Sequence, residues 1–142
     1  MNNEKQKNAR ELGYSIGFVL NVKDNLTFKN QKVLFNLLNA STQPNSHGAY
    51  EILNTKYFLW FPNLYSTDDE WNNEISADCT EIYEHPKKGN KKKLESTAGK
   101  LAIVFGKYKN YCKFIGVFTE IDKKVNKVKY KKISDVVVLN KY

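Results

Sequence analysis

Apolar residues recur at every second position from Ile16 through Phe18 and Leu20 to Val22, the period of a half-buried strand, which we place over 14–22. The period then changes. Between Leu26 and Asn39, the residues Phe28, Val33, Leu34, Leu37 and Leu38 approximate one face of a helix, with Thr27 at the N-cap position and Asn39 near its end. Ser41 to Gly48 reads as a loop. Tyr57 to Phe61 is a nearly unbroken apolar run that stops at Pro62, the pattern of a buried strand ending in a turn.

From Ser66 to Glu74 the chain is acidic and polar around Trp71, and 75–83 predicts one or two short strands. Residues 87–100 hold Gly89, Gly99 and six lysines with no apolar period, which predicts an exposed lysine-rich loop. Four β-branched and aromatic runs follow, at 101–105, 111–121, 125–133 and 136–139, with turns expected at Asn110 and at 122–124. They read as an antiparallel meander. Six or seven strands with one or two helices near the N-terminus predict an α+β fold, built on a mainly antiparallel curved sheet or small β-barrel. A doubly wound parallel sheet would need helices between the later strands, and 101–142 leaves no room for them. We expect a single domain over 1–142, with 1–12 frayed.

Composition narrows the classes. The 142 residues are 41% hydrophobic, 27% charged and 13% aromatic, which suits one folded domain. No apolar run approaches the roughly 20 residues that cross a bilayer. The polar start, Met1 to Arg10, lacks the apolar centre of a secretory signal, and Cys79 and Cys112 make a disulfide framework improbable. The expectation is a cytoplasmic protein without a membrane partner. Charge is divided unevenly: residues 1–86 carry seven basic and 11 acidic groups, net −4, whereas 87–142 carry 16 basic and four acidic, net +12. A lysine-dense half attracts polyanions, nucleic acid first among them. With Arg10 the sole arginine, guanine reading by bidentate forks has little to work with.

Tests for specific chemistry are mostly negative. Cys79, Cys112, His47 and His85 show no paired ligand spacing, so no metal is expected, and Cys112 lies between aromatic residues as a small buried side chain would. The carboxylates Asp68, Asp69, Glu70, Glu74, Asp78, Glu81 and Glu84 invite a metal-dependent nuclease reading, but Pro86 interrupts the spacing to Lys87, and most of the seven are expected in solvent. Gly89, Gly99 and Gly106 form neither a P-loop nor a dinucleotide fingerprint, so no cofactor is expected. Aromatic and basic residues remain. Trp60, Trp71 and Tyr108 could stack a base, and Asn73, Ser76 and Asp78 could meet its polar edge; Lys87, Lys88, Lys91, Lys92, Lys93, Lys107 and Lys109 could hold phosphates. Trp71, among Asp, Glu and Asn, is harder to explain as packing than Trp60.

The segment LAIVFGKYKNYCKFIGVFTEIDKKVNKVKYKKISDVVVL, Leu101 to Leu139, resembles the closing strands of PUA-like domains, the group of ASCH, EVE and SRA-type modules. WFPNLYSTDDEWNNEISADCTEIYE, Trp60 to Glu84, fits the middle of the same module. The chain also looks like reader modules joined to HNH endonucleases in modification-dependent restriction systems. The resemblance implies nucleic-acid binding, DNA favoured over RNA, with a modified base flipped into an aromatic pocket. It further implies a nuclease partner or a fused nuclease domain, no HNH segment following Tyr142. It maps no pocket residue by residue. A protein-binding factor from a phage or mobile element is the alternative, a metal-dependent nuclease the third reading, and the resemblance favours a module without its own catalysis.

Overall fold

The computed structural model describes residues 18–44, 49–53, 55–65, 71–86, 100–124 and 127–139. Its strands are β1 (Phe18–Asn21), β2 (Thr27–Phe28), β3 (Ala40–Pro44), β4 (Ala49–Ile52), β5 (Tyr57–Trp60), β6 (Trp71–Ile75), β7 (Glu81–Pro86), β8 (Leu101–Lys107), β9 (Cys112–Lys124), β10 (Lys127–Ser134) and β11 (Val136–Leu139), with one helix, α1 (Gln31–Leu37). Nine strands form a sheet in the order β3-β4-β5-β8-β9-β10-β7-β6, with β2 also pairing β9, and β1 and β11 form a separate ribbon. All pairs are antiparallel except β5 with β8. The α+β, mainly antiparallel sheet predicted from the pattern is the fold, and among the described residues it is open rather than a closed barrel.

Several boundaries differ from the sequence reading. The helix is shorter than 26–39, because Thr27 and Phe28 pair with Lys113 and Cys112, and Phe28 packs edge-on against Phe105. Asn30 is the N-cap, its side chain accepting from the Lys32 N–H at 3.0 Å. Part of the expected 41–48 loop is β3, an edge strand whose pattern is polar because solvent covers its open side. Residues 75–83 belong to a longer hairpin, β6–β7. Residues 122–124 continue β9 instead of turning, and β11 leaves the meander to pair with β1. Residues 1–12 lie outside the described residues, as does the expected lysine-rich loop except Lys100.

Alternation splits the apolar residues between two faces of the sheet. One face packs under α1 and the β1–β11 ribbon: Ile103, Phe105, Phe114 and Val117 lie with Leu20, Leu34, Leu37 and Leu139. The other gathers Trp60, Ile82, Val104, Ile115, Phe118, Val128 and Tyr130. The alternation of β9 slips by one residue where the pairing shifts between Val104 and Phe105, at Gly116 with φ +132°, so that Phe114 and Val117 share one face and Ile115 and Phe118 the other. A Cβ on Gly116 would stand 2.9 Å from Lys132 Cε and 3.0 Å from the Ser134 carbonyl, so glycine is required there.

Candidate functional site

The second face bears a shallow recess whose enclosed volume is only about 30 Å³, room for one or two water molecules, so a larger planar ligand would lie against it rather than inside it. Ala49, Phe58 and Trp60 from β4 and β5, Ala102 from β8, Phe118 and Glu120 from β9, and Tyr130 from β10 line it. The Trp60 and Tyr130 ring centroids are 4.8 Å apart, tilted by 48°. Rings this close leave no slot between them, so a planar ligand would stack beside the pair. Lys100 stands at the margin, its ammonium 4.8 Å from the Phe58 ring centroid.

The polar character comes through Tyr130. Its hydroxyl donates to Glu84 Oε1 at 3.0 Å, and Glu84 is only 4% exposed, the one buried charged residue among those described. Burial pushes the Glu84 carboxyl up to about 7, against which the Tyr130 hydrogen bond works weakly. Glu84 is therefore largely a neutral acid below that pH, able to donate a proton into a hydrogen bond. Across the β6–β7 pair its partner is Asn73, and cross-strand partners share a face. Asn73 Oδ1 is buried and, among the described residues, has no hydrogen-bond partner. An orphan acceptor of this kind costs about 1–3 kcal/mol unless a ligand satisfies it.

The remaining candidates separate. Trp60 is in the cavity wall. Trp71 opens β6 with its backbone opposite Pro86, and its indole lies outside the described residues. Ser76 and Asp78 are in the β6–β7 turn: Ser76 Oγ donates to Asp78 Oδ1 at 2.8 Å, and Thr80 Oγ1 donates to the same oxygen at 2.7 Å. These bonds hold the Asp78 carboxyl below its ordinary range and tie both side chains to the turn. Tyr108, Lys107 and Lys109 sit at the opposite end of β8. Lys87, Lys88, Lys91, Lys92 and Lys93 lie outside the described residues. No cluster of three or more His, Cys, Asp or Glu able to hold a metal occurs among the described residues. Cys112 is buried, and burial raises its thiol.

Sequence reasoning missed Glu84 and Tyr130. Glu84 was one of seven carboxylates of which most were expected in solvent, yet it alternates with Ile82 on β7, and Tyr130 alternates with Val128 on β10. That period carried the signal.

The sequence as a whole matches one family. The SET and RING associated (SRA) domain profile covers residues 18–139. The chain belongs to the SRA domain family. SRA domains bind modified DNA by base flipping, and this chain is a DNA-binding module of that PUA-like kind. Among solved structures it is similar to the 5-hydroxymethylcytosine-specific restriction enzyme AbaSI, with a TM-score of 0.70, 22% identity and coverage of 99% of this chain. The chain spans 48% of that enzyme's length. No curated protein sequence matches it. No helix among the described residues is long and apolar enough to cross a membrane.

Proposed function

We propose that this SRA domain reads a modified cytosine, flipped from duplex DNA against the aromatic recess of Trp60 and Tyr130. The observation that carries the reading is the pairing of Asn73 Oδ1, a buried acceptor without a partner, with Glu84, a buried acid joined to the cavity by Tyr130. Cytosine offers a donor at its exocyclic amine and an acceptor at the adjacent ring nitrogen. An amide oxygen takes the first and a protonated carboxyl supplies the second. Thymine presents the reverse order and would leave both groups facing like partners. Extrusion costs a few kcal/mol, and stacking on the aromatic wall returns about 1–3 kcal/mol, so the two hydrogen bonds decide which base is retained.

The similarity to a 5-hydroxymethylcytosine-specific restriction enzyme supports a hydroxymethyl or related substituent as the modification, and a nuclease as partner or neighbouring domain. A DNA ligand is the reason to expect a cytoplasmic location. Trp71 is retained as a second stacking residue. Fluorescence anisotropy with duplexes carrying cytosine, 5-methylcytosine, 5-hydroxymethylcytosine or thymine at one position tests the proposal. The expected result is tightest binding to a modified cytosine, with the preference cut about tenfold or more in Asn73→Leu. Equal affinity for all four duplexes would sink it.

A further inference from the structure

The far end of β8 carries a second feature that the cavity does not use. Lys29 and Asn30, after β2, and Gln31 and Lys32, which open α1, line an open groove of about 410 Å³ together with Lys107, Tyr108, Lys109, Asn110 and Tyr111 of the β8–β9 hairpin. Four ammonium groups line it and no carboxylate does. Among the described residues, none of the four lysines makes an ion pair, whereas Lys129 is paired with Glu81 and Lys132 with Asp135 elsewhere on the sheet. Unpaired like charges repel one another, so such a groove gains by taking an anion.

The groove is built rather than incidental. β2 pairs with the start of β9, Thr27 opposite Lys113 and Phe28 opposite Cys112, which delivers Lys29 to the hairpin. The Tyr108 N–H donates to the Tyr111 carbonyl at 2.8 Å, and the two rings stack at 5.2 Å with 22° between their planes. Lys107 is anchored through its backbone, donating to Pro62 O at 2.8 Å and accepting from Leu64 N at 3.0 Å. Seven residues of extended chain separate Lys107 from Lys100 at the cavity margin, about 20 Å, which is the length of about six base pairs.

We infer that this groove is a second DNA contact, taking the phosphodiester backbone of the duplex about six base pairs from the flipped base. The inference rests on the DNA-reading function proposed above. Lysine is suited to it, holding phosphate as a point charge without reading sequence, and the Asn30, Gln31 and Asn110 amides and the tyrosine hydroxyls add neutral donors.

The test compares Lys107→Gln/Lys109→Gln with the unaltered chain on two duplexes, each with one central 5-hydroxymethylcytosine. A duplex of about 24 base pairs reaches the groove, and one of about 10 stops short of it. The expected result is an affinity loss of about tenfold on the long duplex, a salt dependence shallower by about two in the slope of log K against log salt, and affinity on the short duplex unchanged. Lys29→Gln/Lys32→Gln, on the opposite wall, is expected to do the same. No loss on the long duplex, or equal loss on both lengths, overturns the inference. The readings fail separately: absence of any modified-base preference in the unaltered chain defeats the cavity proposal, while a length-dependent loss in the lysine variants would still stand.

Discussion

Glu81 and Glu84 lie three residues apart on β7 and face opposite sides of the same sheet, and their carboxyls move in opposite directions. Glu81 accepts from the Tyr83 hydroxyl at 2.7 Å and pairs with Lys129 at 3.0 Å, and these partners hold it below the ordinary carboxylate range. Glu84 has burial and one phenol, and rises to about 7. Lysines are plentiful on the neighbouring strand β10, and alternation places Lys127 and Lys129 over Tyr83 on the outer face, on the other side of the sheet from Glu84. One strand pair thus presents a solvated ionic surface on one side and a dry, neutral, hydrogen-bonding wall on the other. A basic protein can therefore keep a neutral acid buried within its sheet.

The most severe way to break this division is to remove the aromatic wall. Trp60→Ala is expected to cost about 3–5 kcal/mol of stability, because the side chain is 6% exposed and packs on Tyr130. It is also expected to abolish the modified-base preference. Tyr83→Ala removes a ring of similar size from the outer face and is expected to leave that preference intact. Denaturant unfolding and anisotropy on the same two variants check both statements, and a base preference lost equally in both would end the distinction between the faces.

A subtler variant, Glu84→Gln, keeps the shape and the Tyr130 hydrogen bond while deleting the ionisation. The ordinary carboxylate value is 4.5 and the folded value about 7, so the folded state holds a proton that the unfolded chain has released between those pH values. Stability is therefore full below about 4.5 and declines as pH rises through about 7. Glu84→Gln should be more stable than the unaltered chain at pH 8, by about 3 kcal/mol at most, and the gap should close toward pH 4. Affinity for the modified duplex should weaken in the unaltered chain as pH rises through about 7, as the donated proton is lost. Thermal melts across pH 4–9 carry the first test, and a gap independent of pH would show that Glu84 is not held neutral.

How much of this was legible beforehand depended on what forms each element. β8 to β10 were readable because β-branched and aromatic residues repeat at period two, and burial follows that period. Phe28 was grouped with Val33, Leu34 and Leu37, but at five, six and nine residues away it would lie on the opposite side of a 3.6-residue helix. Its burial comes instead from β9 and Phe105, and Asn30 begins the helix. β3 had little apolar signal because an edge strand is held by backbone pairing. At the site, Trp60 and Asn73 could be named from residue type. Glu84 could not, since a carboxylate in an acidic stretch looks solvated until its alternation with Ile82 is weighed above its charge. Ser76 and Asp78 share the chemistry of a ligand edge with the chemistry of a turn, and here the turn holds them.

The smallest expected effect belongs to the outer face. Glu81→Gln removes a carboxylate whose folded value lies below the ordinary 4.5, so its stabilising contribution is present above that pH and is lost as pH falls through the folded value. The variant should melt slightly below the unaltered chain at pH 7, the difference should shrink on adding salt because the Lys129 pair is partly exposed, and the two curves should converge as the carboxyl is protonated at acid pH. The shift is opposite in sign to that of Glu84→Gln at high pH, on the same strand and with the same chemical change. Glu81→Gln should also leave the ratio of modified to unmodified DNA affinity unchanged. If it altered that ratio as strongly as Glu84→Gln, the outer face would be part of the reading site, and reading could no longer be assigned to the dry face alone.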